Sequence, residues 1–144
     1  MKSVELCEDA ALMAALHATS FERPWSASEF DKLLSNPAVF ALSFANETPQ
    51  GFALAWAAAG DSELLTIAVS PKARRKGLGA VLVEAVIAQA MVCGAQALIL
   101  DVAEDNPAAR TLYAKRGFVE VGRRKDYYLT SQGPSDALTL RRAF

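Results

Sequence analysis

Residues 70–80, Ser-Pro-Lys-Ala-Arg-Arg-Lys-Gly-Leu-Gly-Ala, carry the densest chemical signal in the chain. Lys72, Arg74, Arg75 and Lys76 crowd the point where an apolar run gives way to a helical pattern, and Gly77 and Gly79 stand at the start of that helix. Glycine there lets backbone approach a ligand closely and leaves N–H groups free. Those N–H groups and the helix dipole together make an anion site. Cations at a helix N-terminus are disfavoured by about 0.3–1 kcal/mol each when exposed. Four of them at one such end therefore point to an external anion, the alternative being a solvated basic turn. The P-loop pattern is absent. A dinucleotide fingerprint would need a third glycine where Leu82 stands.

A second group of candidates lies downstream. Asp101 interrupts the apolar run Leu98, Ile99, Leu100 and Val102. A carboxylate on a buried strand is costly unless it is paired or solvated, so it either serves a site or pairs with an arginine such as Arg110 or Arg124. Tyr113 offers a phenol that either does acid chemistry or packs in the core. Asn106 is fully explained as a helix cap, which is compatible with a ligand contact. Trp25, Tyr127 and Tyr128 either line a peptide groove or are ordinary packing. With one histidine, His17, and two distant cysteines, Cys7 and Cys93, no His-rich metal site and no Ser-His-Asp triad elsewhere in the chain is easily built. The two thiols are expected to be free and buried beside helices, and His17 to be a surface or packing residue.

These residues need elements to position them. Residues 2–6 read as a strand, 8–19 as a helix, and Ser26 with Glu29 as a capping box opening a helix to about Leu34. Residues 38–45 and 51–58 are aromatic and apolar strands, with Asn46-Glu47-Thr48-Pro49-Gln50 as the hairpin turn between them. A strand over 63–69 ends at Ser70-Pro71. A helix follows over 77–92, closed by Gly94. Residues 97–103 form a buried strand, and Asn106 caps a helix that Pro107 enters and Gly117 ends. Strands over 118–122 and 136–141 complete the order, joined through Tyr127, Tyr128 and a Ser-Gln-Gly-Pro turn. The strand–helix–strand run from 63 to 103 requires a parallel, right-handed crossover. The whole is α/β: a mixed, mostly antiparallel sheet with a central parallel pair and helices on both faces.

The bulk numbers narrow the function classes. The 144 residues fit one domain spanning 1–144, and 52% of them are apolar, enough for a core. A net charge of −1 gives no overall field toward nucleic acid. No apolar run approaches the roughly 20 residues that span a bilayer, and the N-terminus lacks the blocks of a signal peptide. A cytoplasmic protein, monomeric or weakly dimeric, is expected.

The basic glycine turn and the downstream group together resemble a known family. Arg74-Arg75-Lys76-Gly77-Leu78-Gly79, followed by Asn106, Leu112-Tyr113 and Gly117-Phe118, resembles the GCN5-related N-acetyltransferase (GNAT) superfamily. Finer segments, PWSASEF (24–30), TIAV (66–69), RKGLGA (75–80), DN (105–106), RRKDYY (123–128) and DAL (136–138), are similar to its RimI branch, the ribosomal-protein alanine N-acetyltransferases.

The resemblance implies acetyl-CoA as donor, no metal, and the N-terminal peptide of small-subunit ribosomal protein number eighteen as acceptor. It implies that the backbone of Ile67, Ala68 and Val69 lines the thioester and pantetheine. Arg74, Arg75, Lys76, Gly77, Leu78, Gly79 and Ala80 would hold the pyrophosphate, Asn106 would hydrogen-bond the cofactor, and Tyr113 would be the general acid. Asp101 stands where the family places a glutamate base. Its side chain is shorter by one C–C bond, about 1.5 Å, so a bridging water or the carboxylates of Glu104 and Glu63 would share the task. An acidic rim from Asp61, Glu63, Glu104, Asp105, Asp126 and Asp136 would suit a basic acceptor. Two other readings stay open: another protein N-terminus or a small amine as acceptor, and a catalytically weak acyl-CoA sensor.

Overall fold

The structure is a computed structural model describing residues 3–44 and 50–144. Its elements run β1 (Val4–Leu6), α1 (Ala10–Ala18), α2 (Ala27–Leu34), β2 (Val39–Phe44), β3 (Gly51–Ala58), β4 (Asp61–Val69), α3 (Leu78–Val92), β5 (Ala97–Ala103), α4 (Pro107–Lys115), β6 (Val119–Thr130) and β7 (Gly133–Ala143). The seven strands form one sheet in the order β1-β2-β3-β4-β5-β7-β6. Among the described residues only β4 and β5 pair in parallel, as the strand–helix–strand reading requires. The 46–50 hairpin turn, Gln50 apart, lies outside the described residues.

Alternation along the strands sorts the core into two layers. Phe52 and Leu54 of β3 face α1 and α2, packing with Met13 and Phe30. Ala53 and Ala55 face the other way, into a larger cluster with Leu82, Val83 and Val86 of α3 and Tyr113 of α4. Phe30 and Phe52 are fully buried and meet edge to face at 5.5 Å. Truncating either to alanine removes about 3–5 kcal/mol. Ser26 and Glu29 form the reciprocal capping box that starts α2.

The structure corrects two expectations and decides between the two alternatives of a third. β6 and β7 are much longer than 118–122 and 136–141, so Tyr127 and Tyr128 lie inside β6 and only Ser131 and Gln132 connect the strands. The polar, charged β6 carries little apolar periodicity because it is an exposed edge strand. Cys7 and Cys93 are free, but Cys7 is only half-buried, and Cys93, the C-cap of α3, is exposed together with Met91 and Val92. His17 is a packing residue, 2% exposed.

Candidate active site

The site begins with an irregularity in β4. Leu54 pairs with Thr66 and Ala55 with Leu64, which leaves Leu65 as an extra residue. This bulge turns both Leu65 and Thr66 toward the α1 face, while Leu64, Ile67 and Val69 meet the α3 side. A bulge bends its strand and sharpens the twist. On its other edge β4 meets β5 at the single register pair Glu63–Ile99, whereas β5 and β7 pair along their length from Ala97–Ala143 to Ala103–Ala137. Past Glu63 the two parallel strands diverge. A cleft of about 640 Å³ opens there, lined by Leu65, Thr66 and Ile67 on one side and Asp101 and Val102 on the other. That volume lies in the range of small-molecule sites.

At the end of β4 the chain passes through a short 3₁₀ turn, Pro71–Ala73, into the basic glycine segment. Arg75 (φ 64°) and Gly77 (φ 76°) both adopt the left-handed conformation. Gly77 is the N-cap of α3, and no side chain caps that end. The first N–H groups of α3 are therefore left for a ligand. Leu112 of α4 lies close by, since a Cβ on Gly79 would stand 3.5 Å from its Cδ2. These features fit an anionic diphosphate: uncapped N–H groups, the positive helix end and Arg75 and Lys76 beside them. Arg74 has other work. Its Nε donates to Val69 O (3.1 Å) and its Nη2 to Ser20 Oγ (2.9 Å), bracing the turn against the end of α1.

Two candidate proton-handling groups meet in the cleft because β5 and α4 are consecutive. Asp101 lies opposite Thr139 of β7, whose hydroxyl donates to Asp101 Oδ1 at 2.7 Å. Arg124 Nε lies 3.7 Å from Oδ2, so the arginine beside Asp101 is Arg124, while Arg110 instead donates to Glu104 O. Tyr113 follows on α4, 5% exposed, and burial pushes its phenol up to about 12. Tyr128, also in the cleft, is pushed up to about 12 by burial and by the Asp101 charge. Asn106 lines the cleft and caps α4, its side chain accepting from Ala109 N–H at 3.1 Å.

The remaining predicted residues divide. Trp25, Tyr127 and Tyr128 all line the cleft. Glu104 and Glu63 do not. Glu104 is held by Arg123 at 2.8 Å, and Glu63 receives the Trp56 indole N–H at 3.4 Å. The acidic rim is likewise redistributed. Arg123 also binds Asp136 at 2.8 Å, Asp105 accepts from Ser135, and Asp61 lies at the opposite end of β4. An acid the sequence did not single out, Glu22, sits at the cleft instead. It accepts from Ser131 N–H (3.0 Å) and Ser131 Oγ (2.8 Å) across the mouth. His17 and Thr66 were also missed, and no local pattern could have found contacts spanning 49 and 109 residues.

Comparison with known proteins agrees with this architecture. Residues 10–118 match the model of the Acetyltransferase (GNAT) family. The chain is 34% identical over 147 aligned residues, 97% of this chain and 96% of the relative, to the [ribosomal protein bS18]-alanine N-acetyltransferase of Escherichia coli. The Haemophilus influenzae enzyme of the same name is 33% identical, covering 85% of this chain and 91% of the relative. The crystal structure of the ribosomal-protein-S18-alanine N-acetyltransferase from Escherichia coli superposes with a TM-score of 0.91 at 27% identity, covering 99% of this chain and 94% of that one. Arabidopsis thaliana NAA60 in complex with acetyl-CoA shares the fold at a TM-score of 0.86 and 15% identity, covering 100% and 99%. With its splayed parallel pair, uncapped glycine turn and full-length relatives, the chain belongs to the Acetyltransferase (GNAT) family and is an acetyl-CoA-dependent N-acetyltransferase.

Proposed function

We propose that this enzyme acetylates the N-terminal alanine of ribosomal protein bS18, in the cytoplasm, without binding nucleic acid directly. The observation that carries the reading is the cleft itself: Asp101 and Tyr113 line one opening between β4 and β5, walled by Trp25 and Tyr128. The near-full-length similarity to bS18-alanine N-acetyltransferases supports the choice of acceptor.

Each residue's role follows from its position. Acetyl-CoA supplies an activated acetyl thioester. Backbone N–H groups from Arg75 to Ala80, with the Arg75 and Lys76 charges, hold its diphosphate, and Asn106 adds a polar contact. The edge of β4 over Ile67, Ala68 and Val69, free of a ladder partner in β5, holds its amide arm. Asp101, directly or through one water, takes the proton of the acceptor ammonium. The neutral amine forms the C–N bond as the C–S bond breaks, and Tyr113 gives its proton to the departing sulfur. A phenol held near 12 is fully protonated at neutral pH, so its proton is in place for the departing sulfur; because a thiolate of ordinary pKa about 8.5 is the weaker base, the transfer is completed only as solvent returns a proton to the tyrosine oxygen.

An α-amine suits a short carboxylate. With a pKa of about 7.7–8.0 it is roughly a tenth neutral at pH 7, against about 0.04% for a lysine. The test is release of free CoA thiol with short peptides differing only at residue one. The expected result is a strong preference for alanine. Faster turnover of polyamines, or acetyl-CoA binding with no turnover on any amine, would replace this reading by the small-amine or sensor reading.

A further inference from the structure

The buried pair His17 and Thr66 is not used by the steps above, and its proton arrangement can be derived. His17 Nδ1 lies 3.0 Å from Trp25 N, and a backbone N–H can only donate. Nδ1 therefore carries no proton, so the neutral ring holds its proton on Nε2. Nε2 lies 3.1 Å from Thr66 Oγ1 and must donate to it. The ring cannot flip out of this arrangement, because Phe21 stacks on it at 4.0 Å and Trp25 at 4.9 Å.

This leaves the Thr66 hydroxyl with one lone pair used and its own proton to give. Thr66 is 8% exposed, and among the described residues Oγ1 makes no other hydrogen bond. What exposure it has is into the cleft, because the β4 bulge turns it there beside Leu65. A buried hydroxyl aimed at a ligand site with a proton to donate calls for an acceptor atom in the ligand. The attacking nitrogen is not that atom, since a donor on its lone pair would block the bond it must form.

We infer that Thr66 is a specificity-determining residue whose hydroxyl donates to the first carbonyl oxygen of the acceptor peptide, and that His17 is the positioning residue that aims it. The inference rests on the α-amine reading above and adds what the enzyme requires beyond the amine. A peptide N-terminus places a carbonyl two bonds from the α-nitrogen, while polyamines and lysine side chains have none there. The pair thus separates chain ends from other amines.

The experiment compares two acceptors on each enzyme: an alanine-first hexapeptide, and the same peptide with a trans-alkene in place of its first amide. Thr66→Val should lower kcat/KM for the amide peptide by about 2- to 12-fold, the value of one neutral hydrogen bond. The loss should appear in KM, with the alkene peptide unaffected. Thr66→Ser should restore the amide preference. His17→Phe keeps a ring in the stack and should lower the same preference, with no further loss when combined with Thr66→Val. An equal loss on both peptides marks a merely structural or oxyanion role and overturns the inference, as does an unchanged preference. If the unaltered enzyme acetylates neither peptide, the α-amine reading itself fails, and this inference with it.

Discussion

The Asp101→Asn substitution isolates what the carboxylate does. The change preserves shape, and an asparagine oxygen can still accept from the Thr139 hydroxyl that now lies 2.7 Å from Oδ1. The lost partner, Arg124, is 3.7 Å away with a half-exposed side chain, so the ion pair is worth no more than about 1 kcal/mol. Folding should survive. If Asp101 serves to strip the acceptor ammonium, the variant can use only the amine that solvent has already neutralised. For an α-amine that fraction is roughly a tenth at pH 7, so the loss is about tenfold there and vanishes near pH 9. For a lysine side chain the corresponding loss would be about 2,500-fold at pH 7 and still about 25-fold at pH 9. Thiol release from acetyl-CoA, followed with an alanine-first peptide from pH 6.5 to 9.5, measures the ratio directly. A loss equal at both ends of that range, or above about 100-fold at pH 7, would refute the reasoning, since a base acting in the transition state itself contributes 10²–10⁴. Asp101→Glu should match or exceed the parent rate, because the longer side chain shortens the reach to the ammonium.

Other outcomes follow from single features of the site. Tyr113→Phe should cut kcat by about 100-fold or more while leaving acetyl-CoA affinity intact by calorimetry. The parent kcat should show no alkaline fall below about pH 10, because the phenol is held up to about 12. Arg75→Gly should relax a left-handed backbone that costs a non-glycine residue about 1–2 kcal/mol. It should raise the melting temperature and weaken acetyl-CoA binding. Burial lowers the His17 pKa against the modest opposing charge of Glu29, so the unfolded chain binds its proton first as pH falls. Its contribution is complete above the unfolded value of about 6.5 and is lost as pH drops below it. Urea unfolding at pH 7.5 and 5.5 should show the difference, and His17→Phe should shrink it.

The segment proposed to hold the cofactor was legible as strand, turn and helix because it is local. The glycine turn, the strand before it and the helix after it occupy one continuous run, and the dipole argument needs only neighbours. The Ser26–Glu29 box and the Asn106 cap were legible for the same reason. The cleft was not, because its contacts depend on register. Thr139 reaches Asp101 only once β5 and β7 pair antiparallel, and Ser131 reaches Glu22 only because the β6–β7 hairpin continues past the last β5–β7 pair to Thr130–Gly133. β6 concealed its length by exposing both faces to solvent, which erases the period-two apolar signal a strand normally shows. Its irregularity adds to this. Asp126 has φ 51° within a register shift between Arg124 and Tyr128, pinned by Asp136 accepting its N–H at 2.9 Å.

These long-range contacts have a common consequence. One wall of the cleft is built on the segment from Thr19 to Ser26, which has no regular structure of its own. Holding each such residue in one conformation costs about 1–2 kcal/mol of backbone entropy. Three anchors offset that cost from three directions. Arg74 grips Ser20 from the cofactor turn, His17 takes the Trp25 N–H from inside α1, and Ser131 ties Glu22 from the β6–β7 tip. The wall therefore stands assembled before an acceptor arrives, and the ordering cost that weakens binding to loose loops has already been met in folding. The first of those anchors begins in the basic glycine turn, the segment proposed to hold the diphosphate. Arg74 thus braces the basic turn and the cleft wall together, and a substitution there cannot be confined to either.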